Sequence, residues 1–183
     1  MMNLMTKENI ARDIDEAKQL DADFIITFMH WGDEYVREAN EKQVEFAHFM
    51  AEHGVDLILG SHPHVIQPTD TIETEDHSSF VVYSMGNFIS NQRIESLGES
   101  FARTEDGVIV HVHIEKNHST EETSIVSVDY TPTWVHKVVD SANKPHYRIL
   151  PIESFLTNES IENSFKKRME ESYEATMSHI ATE

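Results

Sequence analysis

Three histidines, in two short runs, have the type and spacing that suit chemistry. His30 closes the apolar run Phe24-Ile25-Ile26-Thr27-Phe28-Met29 and is followed by Trp31-Gly32. His62 and His64 flank Pro63 directly after Val55-Asp56-Leu57-Ile58-Leu59-Gly60-Ser61. Each run reads as a buried strand that stops at imidazoles beside a glycine, Gly32 or Gly60. Open α/β sheets bind their ligands at the carboxyl ends of strands, and neutral imidazole is the commonest metal ligand among side chains. Proline fixes its own φ and biases the residue before it toward extended backbone. The spacing therefore predicts both rings of His62-Pro63-His64 on one side of the chain. The chemistry expected is a metal centre; the alternative is a polar loop whose rings cap strand-end backbone groups.

His111-Val112-His113 has the same spacing and serves as a control. It alternates with Val108, Val110 and Val112 inside a strand, so it is expected to face solvent or pack on the sheet. Position at a strand end, not spacing, separates the two cases. Asp33 is read as opening the next helix. Glu34, four residues past His30, suits three roles: orienting an imidazole, acting as a general acid or base, or favouring the helix start. Asn87, in Ser84-Met85-Gly86-Asn87-Phe88, also follows a strand and either hydrogen-bonds the site or pins a turn. Neither Ser61 nor Ser84 sits in a Gly-x-Ser-x-Gly elbow, which sets serine hydrolase chemistry aside. A Gly-x-x-x-x-Gly-Lys phosphate loop is likewise absent.

The chain has 183 residues, enough for one ordinary domain with a core. It has no cysteine, so any metal must take nitrogen and oxygen ligands. A net charge of −19 argues against broad contact with nucleic acid or an anionic membrane. An anionic substrate would need local positive charge, which bound divalent ions supply. The first residues are polar, and no apolar run approaches the roughly 20 residues of a membrane helix. As written, the chain reads as soluble and cytoplasmic, without a membrane span.

The elements that must position these residues follow from periodicity. Ile10, Ile14, Ala17 and Leu20 recur at helical spacing, and Asp21–Asp23 breaks to a strand over 24–29. A helix over 41–53 buries Val44, Ala47 and Met50, with Gly54 as its C-terminal cap, and a strand over 55–59 follows. This alternation predicts α/β packing with neighbouring parallel strands. Beyond it the sequence predicts a loop over 69–78, a strand over 80–84, and a loop over 91–106. A hairpin of 108–115 with 123–130 comes next, then extended pieces at 132–139 and 146–152. Last is a charged helix from about 159 to 179, with Ile161, Phe165, Met169, Tyr173 and Thr176 on one stripe.

Three segments then carry a family resemblance: His30-Trp31-Gly32-Asp33-Glu34-Tyr35, Gly60-Ser61-His62-Pro63-His64-Val65-Ile66-Gln67-Pro68, and Tyr83-Ser84-Met85-Gly86-Asn87-Phe88. Their order and spacing resemble the CapA-type capsule-synthesis proteins of poly-γ-glutamate biosynthesis. A weaker similarity continues through Tyr130-Thr131-Pro132-Thr133-Trp134-Val135 and Tyr147-Arg148-Ile149-Leu150-Pro151. Residues 1–152 are thereby expected to be the C-terminal portion of a CapA-type domain, with 153–183 a charged helix packed on it.

That family in turn resembles the calcineurin-like metallophosphoesterases. The resemblance implies a two-sheet α/β sandwich holding two divalent ions (Mn, Zn, Fe or Mg), with His30 and His62 on one ion and His64 on the other. Glu34 is the candidate catalytic group, with Gly32, Gly60 and Asn87 in support. The family's Asp and Asn motifs have no counterpart ahead of residue 24, so the N-terminal half of the fold is expected to be missing. Implied partners are an envelope polymer or a phosphoester substrate, and polymer synthase subunits; the implied location is membrane-anchored and extracytoplasmic. A non-catalytic accessory or scaffolding subunit of an envelope polymer synthesis or export complex is the alternative.

Overall fold

The computed structural model describes residues 4–180. Its first half is a four-stranded sheet in the order β1-β2-β4-β3, built from β1 (Ile26–His30), β2 (Leu57–Ser61), β3 (Ile66–Glu73) and β4 (Ser78–Met85). β1, β2 and β4 run parallel, and β3 returns antiparallel beside β4. Helices α1 (Lys7–Gln19) and α2 (Glu41–Glu52) precede β1 and β2. Each starts where the sequence offers a cap. The Thr6 hydroxyl accepts from the Asn9 amide, and Asn40 exchanges side-chain and backbone hydrogen bonds with Gln43.

The helices cover one face of this sheet. Ile14 of α1 and Phe46, Ala47, Met50 and Ala51 of α2 pack on Met29, Ile58, Val81 and Tyr83. Side chains alternate along a strand, so Ile26 and Phe28 point to the opposite face, where they are 53% and 66% exposed. β1 is an edge strand and pairs with β2 alone.

The second half is a three-stranded antiparallel sheet of β5 (Asp106–Asn117), β6 (Glu122–Val139) and β7 (Pro145–Pro151). Ahead of it come the short helix α3 (Ile94–Leu97) and a 3-10 turn over Glu99–Glu105; behind it come α4 (Ile152–Leu156) and α5 (Asn163–Ile180). The sheets meet at a single bridge between Gly86 and Gly107, and around Ile66, Val108 and Ile180. Further out they diverge around a cleft of 520 Å³ lined by Phe24 and Phe80 on one side and Ile125, Val126 and Val128 on the other. The chain is thus mixed α/β with two sheets, a partial α/β sandwich.

Several expected boundaries are corrected. Residues 69–73 of the loop expected at 69–78 belong instead to β3, because antiparallel pairing with β4 satisfies a polar segment and the Thr69 hydroxyl donates to the Ile180 carbonyl at 2.7 Å. The loop expected at 91–106 holds α3 and the 3-10 turn. The pieces at 123–130 and 132–139 are one strand, β6. Pro132 interrupts nothing because β7 pairs only from Thr133 onward, so one flank of the strand has no ladder there. His111 and His113 are exposed, the first near the Thr131 hydroxyl at 2.9 Å and the second 3.6 Å from Asp129. Asp33 does not open a helix: α2 starts at Glu41, and the Asp33 carboxylate accepts from the Asn40 amide at 2.8 Å. Among the described residues no helix is long and apolar enough to cross a membrane.

Candidate functional site

Parallel pairing in register places His30 opposite Ser61 at the ends of β1 and β2. The His30 and His62 rings consequently lie with centroids 4.5 Å apart, tilted by 52°. Both line a 350 Å³ cavity with Trp31, Gly32, Asp33, Asn40 and Lys42. The Trp31 indole fixes this end of the sheet, donating to the Tyr83 carbonyl at 2.9 Å while its backbone N–H reaches Ser61 O at 3.1 Å. Gly60 is required at that crossing: a Cβ there would sit 2.0 Å from the Tyr83 carbonyl oxygen and 2.5 Å from the Trp31 ring nitrogen. Gly32 adopts φ +87° beneath the Gln43 side chain, a conformation that side-chain-bearing residues resist.

The backbone of the histidine pair corrects one expectation. His62 has φ +108° and His64 φ +62°, so neither is extended. Two non-glycine residues in this half of conformational space, one residue apart, store strain of the kind that gathers at ligand sites. The rings still stand close, with centroids 6.1 Å apart. However, His64 turns away from the cavity that His30 and His62 share. Its Nδ1 lies 3.0 Å from Asn87 Oδ1, its Nε2 lies 3.9 Å from Glu34 Oε1, and its ring stacks on Tyr35 at 5.8 Å. The Asn87 amide also donates to His64 O and Thr104 O, which pins the turn.

Sequence reading missed the residues that hold Glu34 in place. Gln43 and Gln67 are almost fully buried. Gln43 Nε2 donates to Gln67 Oε1 at 2.7 Å, and Gln67 Nε2 donates to the carbonyls of Val36 and Glu38, each at 2.9 Å. This glutamine pair ties the turn carrying Glu34 and Tyr35 to α2 and β3. The signal was present, because Gln67 lies within the second motif. Tyr35, Lys42 and Gln92 were also passed over. The Tyr83 hydroxyl is pushed up to about 12, first by burial, and stays protonated and neutral.

The donor chemistry suits a divalent ion: imidazole nitrogens with a carboxylate nearby and no thiolate. The arrangement is nevertheless divided, and among the described residues no three histidine, aspartate or glutamate side chains already converge on one point.

Comparison with known proteins adds to this geometry. Residues 2–92 match the family described as bacterial capsule synthesis protein PGA_cap, a span containing His30, Gly32, Glu34, Gly60, His62, His64 and Asn87. The chain belongs to this CapA-type capsule-synthesis family. It is 35% identical over 126 residues to the PGA biosynthesis protein CapA of Bacillus subtilis (strain 168), covering 68% of this chain and 30% of that protein. It is 31% identical over 116 residues to the capsule biosynthesis protein CapA of Bacillus anthracis, covering 62% of this chain and 26% of that protein. The matched segment thus spans less than a third of either relative. The family match stops at residue 92, before β5, β6, β7 and α5 begin.

Proposed function

We propose that this chain carries the histidine part of a metallophosphoesterase-like, divalent-metal site in a capsule (poly-γ-glutamate) biosynthesis protein. The Asp and Asn ligands that complete the site would come from polypeptide beyond the segment shared with its relatives. The observation carrying this reading is the division of the histidines. His30 and His62 share one cavity while His64, 6.1 Å from His62, faces Glu34, which supports two adjacent ion positions. Mn, Zn, Fe and Mg are the candidates. When bound, such ions polarise a phosphoryl or acyl oxygen and lower the pKa of a bound water. The chain's own residues do the rest. Trp31 and Gly60 hold the strand ends, Lys42 gives the cavity one positive charge, and Glu34 is exposed enough to exchange a proton with solvent.

The substrate class on this reading is a phosphoester or an anionic envelope polymer. A chain of net charge −19 repels such a polymer elsewhere, so contact is confined to the histidine edge. The 183-residue chain alone is expected to be a poor catalyst, because among the described residues no three histidine, aspartate or glutamate side chains converge on an ion position.

A second reading, an accessory or scaffolding subunit of a polymer synthase or export complex, is favoured by the exposed Ile26 and Phe28 on β1. Metal analysis tests the first reading. Bound Mn²⁺ or Zn²⁺ is expected in a version extended to the relatives' length and reduced in its His62→Ala and His64→Ala forms. Equal metal content in all three overturns the metal site. Normal capsule formation by the His30/His62/His64 triple alanine variant favours the scaffold.

A further inference from the structure

We propose that Tyr35 and Gln92 are positioning residues that act through Asn87 to hold His64 as its Nδ1–H tautomer, leaving Nε2 as the free donor atom. The metal significance of that atom rests on the reading above; the tautomer itself does not.

The argument starts from atoms whose identity is fixed. Asn87 Nδ2 lies 3.2 Å from the His64 carbonyl oxygen and 2.9 Å from the Thr104 carbonyl oxygen. Backbone carbonyls can only accept, so this end of the amide must be the NH₂ group. The other end, Oδ1, then faces His64 Nδ1 at 3.0 Å and can only accept. The proton between them therefore belongs to Nδ1, and in a neutral imidazole the opposite nitrogen carries none. That nitrogen, Nε2, is the atom 3.9 Å from Glu34.

Gln92 carries the constraint outward. The same Asn87 NH₂ group faces Gln92 at 3.1 Å, so Gln92 presents Oε1 there and turns its own NH₂ toward the Tyr35 hydroxyl at 3.2 Å. Tyr35 closes the loop by stacking on the His64 ring at 26° and by donating its backbone N–H to Pro63 O at 2.7 Å. Phe101 packs edge-to-face with Tyr35 at 5.0 Å, and the Thr104 hydroxyl donates to Gln92 O at 3.0 Å. His64, Asn87, Gln92 and Tyr35 thus form a closed ring of contacts in which each member fixes the next. A purely structural turn would need Asn87 to bind the backbone, but not a glutamine and a tyrosine to hold the imidazole's plane and tautomer.

The test reads the tautomer directly. Long-range proton–nitrogen spectra of the metal-free, ¹⁵N-histidine-labelled chain at alkaline pH are expected to show His64 as Nδ1–H. Gln92→Leu, which leaves Asn87 held by the His64 and Thr104 carbonyls alone, is expected to admit a measurable minor Nε2–H population, and Gln92→Glu, which still accepts from Asn87, to suppress it. In a version extended to the relatives' length, Zn²⁺ affinity is expected to fall about 10–100-fold in Gln92→Leu. Should Gln92→Leu fail to fold, Tyr35→Phe, which removes only the hydroxyl, gives the same readout. An Nε2–H tautomer in the parent chain, or an unchanged tautomer in both Gln92→Leu and Tyr35→Phe, overturns the proposal. A minor Nε2–H population in the variants with no Zn²⁺ binding by any form upholds the positioning role and overturns the metal reading alone.

Discussion

At the carboxyl ends of β1 and β2 the polar side chains stay partly open to solvent, whereas behind β6 charged groups are sealed inside. Arg93 and Glu105 are each only 2% exposed. The Glu105 carboxylate accepts from the Trp134 indole at 3.0 Å and is bonded by Arg168. Both Arg93 and Arg168 also lie over the Trp134 ring, at 5.2 and 5.1 Å. Asp106 accepts from the Ser172 hydroxyl at 2.6 Å and pairs with Arg103 at 3.0 Å. These contacts clamp α5 onto the second sheet. The first region instead leaves φ strain at two histidines and apolar side chains on an edge strand. The difference teaches that the sealed ionic packing and the candidate ligands are housed separately. The region matched by the capsule-synthesis family holds the candidate ligands, and the region beyond residue 92 anchors the Gln92–Thr104 loop against which Asn87 is braced.

If that division holds, the largest stability loss should come from the sealed network. Glu105→Ala leaves two guanidinium groups without their shared carboxylate and is expected to cost about 3–5 kcal/mol in denaturant unfolding. His30→Ala, on an exposed side chain, should stay within about 0.5 kcal/mol of the parent. Comparable losses in the two variants would dissolve the contrast.

Next in size are the strained histidines. Glycine tolerates positive φ, so His62→Gly is expected to gain about 1 kcal/mol of stability, while metal retention by a version extended to the relatives' length falls; His64→Gly is expected to gain less, because it also gives up the Asn87 hydrogen bond and the Tyr35 stack. A glycine variant that is destabilised, or that keeps its metal, would show that the strain serves the fold.

Asp106 sharpens the comparison through pH. Burial pushes its carboxyl up to about 7 despite the pull of Arg103 and the Ser172 hydroxyl. The folded state therefore holds this proton more tightly than the unfolded chain does. The group's contribution is fully present below the ordinary Asp range near 3.9 and is lost as pH rises through about 7. The unfolding midpoint should thus decline between about pH 4 and 7 more steeply in the parent than in Asp106→Asn. Parallel curves would remove Asp106 as the source.

The smallest effect on stability, and the clearest on association, is expected at β1. Phe28→Ser should leave the unfolding midpoint within about 0.5 kcal/mol and reduce self-association in sedimentation or sizing at high protein concentration. An apolar edge strand is a template for further pairing. Unchanged association would mean that Ile26 and Phe28 contact nothing in solution.

What the sequence by itself determined is local. Alternation and helical spacing marked α1, α2, β1, β2 and β5, because burying an apolar face imposes a period readable along the chain. Strand-end position singled out His30, His62 and His64 as candidates, and the fold brings their rings to one end of the first sheet, whereas His111 and His113 lie exposed on the second. Tertiary structure alone decided the rest. Thr69 and Gln67 are polar yet buried, since their partners, the Ile180 carbonyl and Gln43, lie 111 and 24 residues away. The left-handed backbone of His62 and His64 overrode the extended preference that proline imposes on the residue before it. The ring linking His64, Asn87, Gln92 and Tyr35 spans three loops. Hydrogen bonds between such distant segments leave no period in the sequence, so only the folded chain shows which nitrogen of His64 is left free.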